Sequence, residues 1–303
     1  MSLFTVGRYG VTSSDESHGD TAMSNVTTLN QAAGPEHIDV LIVGAGISGI
    51  GAAHHLGEKC PGKRYLILES KSSFGGTWRQ HTYPGIRSDS DLYTFGYGFR
   101  PWTGKPIAEA PAILEYLEGA IDDDHIDQHI RYEHKVVRAS WSSDEQRWTV
   151  DALRTDTGEQ VSFTCNFLWM CQGYYRHEQG YTPQWEGMDD YEGQMLHPQT
   201  GPEDLDSKGK RVRVIGSGAT AATLVPNMAD DCEHITMLQR SPTYFWTGEN
   251  RNELADMLRE LEVPEEWVHE IVRRSILKMA KDVQYVSQSD PELIKEELFK
   301  VIR

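Results

Sequence analysis

The chain has 303 residues and a formal net charge of −17, with 46 acidic against 29 basic side chains. An acidic surface is repelled by nucleic acid and by anionic membranes, so neither is expected as a partner. The sequence holds no run of 18 apolar residues and no apolar segment of a secretory signal. We therefore expect a soluble, cytoplasmic protein without a membrane span.

Residues 1–36 are rich in Ser, Thr, Asn and Gly and lack a hydrophobic period, which predicts a disordered leader. The apolar strand Val40–Val43 follows, then a glycine-rich turn, then a helix that should end near Leu56. The turn contains Gly44, Gly46, Ser48 and Gly49. Its glycines let the backbone turn tightly and approach a pyrophosphate, which binds the free N–H groups at the start of the helix. The alternative is a purely structural turn, but the position between strand and helix favours a nucleotide site.

A second predicted strand, Tyr65–Leu68, ends at Glu69, about 20 residues after the turn. A carboxylate at this point accepts hydrogen bonds from the ribose hydroxyls of a nucleotide that lacks a 2′-phosphate. FAD and NAD fit this first site, and NADP does not.

The next segment contains the glycine pair Gly75-Gly76, which allows the backbone to approach a cofactor, and the rigid turn Tyr83-Pro84-Gly85. Trp78 is either a wall for a flavin ring or a core residue, and its residue type alone favours the core. Asp89 is as readily a cap or a surface residue as a site residue.

Further elements follow in order. A helix is predicted over Ala112–Ile121, then a meander of strands at Lys135–Trp141, Arg147–Leu153 and Gln160–Cys165, and then a separate apolar strand at Phe167–Cys171.

A second unit repeats the first pattern. The strand Val212–Ile215 leads into a second turn, and the next strand, His234–Leu238, ends at Gln239 without an acid. Arg240 and Ser241 stand there instead, and a planar guanidinium binds a 2′-phosphate through two hydrogen bonds. We interpret this site as one for NADPH, the alternative being a solvated arginine. Two different nucleotides in one chain suggest hydride transfer from NADPH to a flavin. The second turn comprises Gly216, Ser217, Gly218, Ala219, Thr220 and Ala221.

After this unit the pattern is helical, with predicted helices at Asn250–Leu261, at Glu265–Val283 and from Glu292 onward, the last capped by Ser289 or Asp290. A doubly wound domain needs further parallel strands, and the sequence pattern shows none. The predicted fold class is α/β, with two Rossmann-like dinucleotide-binding domains at 37–178 and 179–303. The second domain and the closing part of the first are expected to be incomplete. An unfinished sheet leaves exposed edges, so we expect low stability and self-association.

The four cysteines, Cys60, Cys165, Cys171 and Cys232, include no closely spaced pair. This argues against the disulfide reductases, which need such a pair beside the flavin. No histidine and cysteine spacing suggests zinc, so no metal is expected.

The paired turns and the segments Gly75–Asp89 and Tyr191–Pro202 together resemble the class B flavoprotein monooxygenases. Within these, the chain is similar to the Baeyer–Villiger monooxygenases, most closely to the ethionamide-activating type of mycobacteria. The likeness runs from about Ile38 to the end of the chain. The family fingerprint has Phe, Gly, His and Trp at the positions held here by Tyr191, Gly193, His197 and Gly201.

The resemblance implies that NADPH reduces FAD, that oxygen adds to the flavin at C4a, and that the bound peroxide oxidises a ketone or a sulfur or nitrogen compound. It implies that Asp89 is a catalytic acid paired with an arginine expected beyond Arg303, whose charge stabilises the peroxide. Arg87 is a weak substitute for that arginine. The role implied for His197 is to coordinate NADPH binding with domain movement.

Further cofactor-binding residues are implied outside the two turns. They are Glu69, Thr77, Trp78, Arg79, Gln80, Arg87, Ser88, Asp89, Val137, His197, Ala222, Arg240 and Ser241. Two other functions share the same glycine turns: a nucleotide-binding remnant without monooxygenase activity, and an NADPH-dependent flavin reductase or oxidase.

Overall fold

The computed structural model describes residues 34–202, 205–241 and 248–302. Most of the predicted leader lies outside the described residues, and Glu36 already belongs to the first strand. The described strands are β1 (Glu36–Val43), β2 (Tyr65–Leu68), β3 (Ile130–Arg131), β4 (His134–Ser142), β5 (Arg147–Arg154), β6 (Gln160–Met170), β7 (Arg211–Ile215) and β8 (His234–Leu238). The described helices are α1 (Ile47–Lys59), α2 (Thr77–Gln80), α3 (Leu92–Phe95), α4 (Ala110–Asp123), α5 (Ala219–Met228), α6 (Glu253–Glu260), α7 (Glu265–Ser289) and α8 (Pro291–Ile302).

The first unit is built on a six-stranded sheet with the order β3-β2-β1-β6-β5-β4. The first four strands in this order run parallel, and β5 and β4 continue the sheet in antiparallel fashion. Parallel neighbours need a crossover connection, and α1 supplies the one between β1 and β2. This strand, helix and strand arrangement is the nucleotide-binding unit that the sequence predicted.

β6 is a single strand, whereas the sequence predicted a break between Gln160–Cys165 and Phe167–Cys171. Residues 160–165 of β6 pair with β5, and residues 163–170 pair with β1, so the middle of the strand is paired on both sides. The polar Asn166 lies between the two apolar stretches, and its side chain bonds His37 Nε2 on β1 at 3.2 Å. Asn166 is exposed, so its polar side chain is tolerated, and the strand continues because its backbone is paired with β1 on both sides of this residue.

The first sheet is packed on both faces. Ile42 belongs to a core formed with α1 and α4, and Leu41 belongs to a second core formed with residues of β5 and β6. Both side chains are fully buried. They lie in different cores because successive residues of a strand point to opposite faces of the sheet. α4 extends beyond the predicted Ala112–Ile121 at both ends, and Pro111 stands in its first turn, where a missing N–H costs no helix bond.

The second unit comprises β7, α5 and β8, with the two strands parallel. In the described part of the chain this sheet has no third strand. Alternate residues of β7 and β8 are partly buried and exposed, and Ile215 and Leu238 at the ends of the strands are both 60% exposed. One face of this small sheet therefore lies open.

The helices that follow the second unit pack back on the first. Val268 and Val272 of α7 are buried in the core that α1 and α4 share. The Trp102 N–H donates to His269 Nδ1 at 3.1 Å, and Arg273 Nη1 donates to the carbonyl oxygens of Tyr93 and Thr94 at 3.0 and 2.9 Å. The domain boundaries at 37–178 and 179–303 stay a prediction.

Two helix ends illustrate local rules. α7 runs to Ser289 instead of ending at Val283, because no glycine or proline interrupts it before Pro291. Asp290 Oδ1 accepts from the Leu293 N–H at 3.1 Å, as expected for a cap of α8.

None of the described helices is both long and apolar enough to span a membrane.

Candidate functional site

The first glycine-rich turn lies between β1 and α1, and two of its glycines are fixed by close backbone approach. Gly44 has φ +101°, and a Cβ there would lie 2.7 Å from the Cys171 carbonyl oxygen. A Cβ on Gly49 would lie 1.9 Å from the Gly44 carbonyl oxygen. Gly46 is the N-cap of α1, and no side chain accepts from the helix N-terminus. Its N–H groups, with Ser48 exposed in the first turn, form a cradle for an anionic group.

Glu69 lies at the end of β2, directly against this turn, and only 7% of it is exposed. Its Oε2 accepts from the Ala45 N–H at 2.8 Å, and its Oε1 accepts from the Lys71 N–H at 2.9 Å. The carboxylate thereby fixes the turn and stands where the ribose of a bound dinucleotide is expected. The predicted ribose contact stays a prediction.

The glycine pair packs directly on the first turn. The Gly75 N–H donates to the Ala45 carbonyl oxygen at 3.0 Å, and a Cβ on Gly76 would lie 3.2 Å from Gly46 Cα. α2 begins at once after this pair with Thr77, so the helix is held at the edge of the cradle. The close approach of two backbones explains the glycine at 76, whereas at Gly75, with φ +115°, a Cβ would lie 2.4 Å from the Leu114 side chain.

The predicted residues of α2 have different surroundings. Trp78 packs in part against the first core and meets the Phe95 ring edge to face at 5.8 Å. Arg79 is exposed, with its guanidinium 5.6 Å from the Phe74 ring, and Gln80 ends the helix half-buried. The packing of Trp78 agrees with the core role that its residue type favoured.

The segment from Arg87 to Asp89 is extended. Ser88 is buried between two exposed charged residues, and its N–H donates to the Ala108 carbonyl oxygen at 2.8 Å. Asp89 is exposed, and its charge is felt by Tyr83 and Tyr175, where it opposes ionisation of both phenols and helps to raise their pKa values after the larger effect of burial. The structure thus places Asp89 beside two tyrosines.

Val137 lies on β4, where the register with β5 shifts between Val136 and Arg138. A bulge of this kind leaves the backbone groups of the extra residue without ladder partners. Val137 is 56% exposed. Its free backbone groups, and not its apolar side chain, are suited to hydrogen bonds with a cofactor base.

The second turn repeats the geometry of the first in a more open setting. Gly216 has φ +123°, Gly218 is the N-cap of α5, and no side chain caps this helix. Among the described residues, none lies within 4 Å of the place where a Cβ on either glycine would stand. Arg240 and Ser241 are both exposed just after β8, the neighbouring strand. The turn also holds Ser217, Ala219, Thr220, Ala221 and Ala222, of which Ala221 is buried.

His197 lies in a cluster with His81 and His177, which sequence reasoning missed. Its ring packs on Gly180, and its Nδ1 accepts from the Gln199 N–H at 3.2 Å. Within the described ranges, neither the buried His81 Nδ1 nor the buried His177 Nδ1 has a hydrogen-bond partner. Burial lowers the pKa of His81, and the neighbouring His177 and His197 lower it further. The sequence held no local signal for this cluster, because its members come from separate segments.

At the fingerprint position Gly201, the nearest described atom to a Cβ would be the His197 carbonyl oxygen at 3.6 Å, an ordinary contact. Among the described residues, His54, His55 and Glu58 bring ligand atoms within 4.8 Å of one another. His54 Nδ1 is already bonded to Asp124 Oδ2 at 2.6 Å, and the other two side chains are exposed. That no metal is required stays a prediction.

Comparison with known families assigns both halves of the chain. Residues 42–117 match the NAD(P)-binding Rossmann-like domain, and residues 107–264 match the flavin-binding monooxygenase-like family. The chain belongs to the flavin-binding monooxygenase-like family.

Relatives within this family are closely similar in sequence. The chain is 50% identical over 248 residues to the FAD-containing monooxygenase EthA of Mycobacterium tuberculosis, which covers 81% of this chain and 50% of that protein. It is 54% identical over 212 residues to the EthA of Mycolicibacterium smegmatis, covering 69% of this chain and 43% of the relative. The chain therefore spans about half the length of the curated relatives it matches.

Solved structures of flavin-binding monooxygenase-like proteins share the fold. A cyclohexanone monooxygenase mutant from Rhodococcus sp. Phi1 bound to NADP+ superposes with a TM-score of 0.63 at 30% identity, covering 75% of this chain and 44% of that one. An oxidised steroid monooxygenase bound to NADP gives a TM-score of 0.59 at 33% identity, covering 69% of this chain and 40% of that one. The predicted resemblance, the α/β fold class and the pair FAD and NADP are confirmed at the level of the family.

Proposed function

We propose that this chain forms the part of an FAD- and NADPH-dependent monooxygenase that binds both dinucleotides and directs hydride from NADPH to FAD. The whole protein would insert one oxygen atom of O2 into a ketone, as in a Baeyer–Villiger reaction, or add it to a sulfur or nitrogen compound. A cytoplasmic location stays a prediction from composition.

The observation that carries the proposal is a pair of helix N-termini without a side-chain cap among the described residues, next to strands that are followed by side chains of opposite charge. Gly46 begins α1 beside the buried carboxylate of Glu69, and Gly218 begins α5 beside the exposed Arg240. An acid suits ribose hydroxyls and repels a 2′-phosphate, whereas a guanidinium attracts one. One chain therefore offers two dinucleotide sites that differ in the nucleotide they accept.

The residues on the flavin side are suited to binding and orientation. The turn at Gly44 would take the pyrophosphate of FAD, Glu69 the ribose, and the bulge at Val137 the base. Gly75 and Gly76 allow their backbone to pack against the first turn, and Trp78 would lie at the edge of the FAD site. When bound, the flavin supplies the chemistry of oxygen activation, which requires that water be kept away from the ring.

The experiment that tests the proposal is uptake of FAD by the purified chain, followed by anaerobic addition of NADPH. We expect a yellow protein whose flavin absorbance bleaches with NADPH and recovers with O2. A Glu69→Ala variant should lose FAD, because the ribose partner and the bond that fixes the first turn are both removed. An exposed acid on α1, changed in Glu58→Ala, is the matched control and should keep FAD.

Each outcome separates the proposed function from its alternatives. A colourless chain in the presence of FAD contradicts cofactor binding and supports a nucleotide-binding remnant. Bleaching with NADPH followed only by hydrogen peroxide release in the presence of ketones and sulfides supports a flavin reductase or oxidase. An oxygenated product that depends on NADPH supports the monooxygenase.

A further inference from the structure

A contact between α5 and the loop that follows α2 joins the two units. Thr220, Thr223 and Asn227 lie on one face of α5, since residues three or four apart on a helix are neighbours. Thr223 is only 5% exposed, and the Asn227 Nδ2 donates to the Thr223 carbonyl oxygen at 2.8 Å. This bond fixes the orientation of the Asn227 amide.

The loop Tyr83-Pro84-Gly85 packs against this face of α5. Gly85 has φ +72°, and a Cβ there would lie 2.1 Å from Asn227 Nδ2, 2.3 Å from Cγ and 2.6 Å from Oδ1. The backbone of the loop therefore touches the amide directly, and a side chain at this position would fit only if the exposed Asn227 amide moved away and lost its bond to Thr223. The hydroxyl of Tyr83 also contacts the Thr220 side chain, while burial raises the pKa of Tyr83 and keeps the phenol neutral.

Each partner in this contact is joined by a short stretch of chain to a cofactor turn. The loop follows α2, which begins at the glycine pair packed on Gly46 of the first turn. α5 begins at Gly218 of the second turn. Only a few residues separate the contact from each cradle, so a shift at the contact would change the position of one cradle relative to the other. Hydride transfer requires the reacting atoms to lie about 3–3.5 Å apart, and a misplacement of about 1 Å can cost about 100-fold in rate.

We propose that Gly85 and Asn227, supported by Tyr83 and Thr220, are positioning residues that set the NADPH-binding helix against the FAD-binding unit for hydride transfer. This inference rests on the proposed function. It concerns the orientation of the two sites and not the binding of either cofactor. A change at Gly85 should therefore slow flavin reduction more than it weakens binding of NADP+.

The test uses a clash and its removal. Gly85→Ala introduces the Cβ that collides with the amide, and Asn227→Ala removes all three amide atoms nearest to it. Gly158→Ala is the matched control, because Gly158 has φ +76° and a Cβ there would meet nothing within 4 Å. It reproduces the backbone strain of a left-handed alanine without the collision.

The measurements are the melting temperature of the cofactor-free chain, the Kd for NADP+, and the anaerobic rate of flavin reduction by NADPH. We expect Gly85→Ala to melt below the Gly158→Ala control and to reduce the flavin at least about tenfold more slowly, with the Kd for NADP+ changed less than about threefold. The double variant Gly85→Ala/Asn227→Ala should recover the melting temperature of the control and part of the rate, because the collision is removed but the Asn227 amide no longer orients the loop. If Gly85→Ala does not fold, Tyr83→Phe provides the second test, with a slower reduction and an unchanged Kd.

The inference is overturned if the losses of the two single variants simply add in the double variant, or if Gly85→Ala and Tyr83→Phe reduce the flavin as fast as the control. A wild-type chain that takes up no FAD overturns the proposed function and the positioning role together. Failure of the rescue in a wild-type background that does bleach with NADPH overturns this inference alone.

Discussion

At the scale of single residues, the two sites differ in the charged side chain that follows the strand beside each turn. Glu69 is buried and committed to two backbone N–H groups, so it serves structure and recognition together. Arg240 is exposed and lies in open space beside the second turn. The attraction between its guanidinium and a 2′-phosphate depends on the charge of the nucleotide and is weakened by salt.

Arg240→Ala should therefore change nucleotide preference more than stability. A charge-assisted contact to a phosphate is worth about 1.5–3 kcal/mol, and screening at an exposed site favours the lower end of that range. We expect the Kd for NADPH to rise about tenfold and the Kd for NADH to stay unchanged. Titrations with both nucleotides check this result, with the exposed Arg213→Ala on β7 as control. Equal weakening for both nucleotides would contradict a 2′-phosphate role.

At the scale of elements, α7 is the helix that ties the C-terminal helices to the first unit. Its His269 accepts a hydrogen bond from the Trp102 N–H through Nδ1, which requires that nitrogen to be unprotonated. The side chain is 2% exposed. Burial lowers the pKa of His269 below its usual value of 6.5, and the charge of Arg273 adds to the effect.

This shift predicts that the chain becomes less stable in mild acid. Below the usual pKa of 6.5 the unfolded chain binds a proton that the folded chain does not, so the free energy of unfolding falls as the pH falls from 6.5 toward the lowered pKa. We expect the melting temperature to drop between about pH 7.5 and about pH 5.5, and less steeply in His269→Gln. The exposed His125→Gln is the control; an identical slope in His269→Gln would argue against this account.

At the scale of the whole molecule, the strongest contrast is between the two sheets. The first has buried core residues on both faces, whereas the exposed face of β7 and β8 presents Ile215 and Leu238 side by side in register. Apolar side chains on an open two-stranded sheet with free edges favour association with another chain.

We therefore expect the isolated chain to self-associate through this face. The double variant Ile215→Lys/Leu238→Lys should shift the chain toward monomer, since like charges on a sheet face block edge pairing. Light scattering over a concentration series measures the effect. Leu261→Lys is the control, because Leu261 is 67% exposed but lies outside this sheet. If the control disperses the chain equally well, net charge and not this face decides the association.

The sequence by itself determined the local units of this protein. Both turns, the strands before them and the contrast between Glu69 and Arg240 follow from glycine conformations, apolar runs and charge, which act over a few residues. The break predicted at Asn166 was wrong because β6 is paired on both sides of this exposed residue with β1, which lies on a distant part of the chain. Only the tertiary structure decided that α7 packs on the first unit, that His197 lies near His81, and that Gly85 touches Asn227. These contacts join residues far apart in sequence, and their fit depends on shape, for which no short pattern gives a signal.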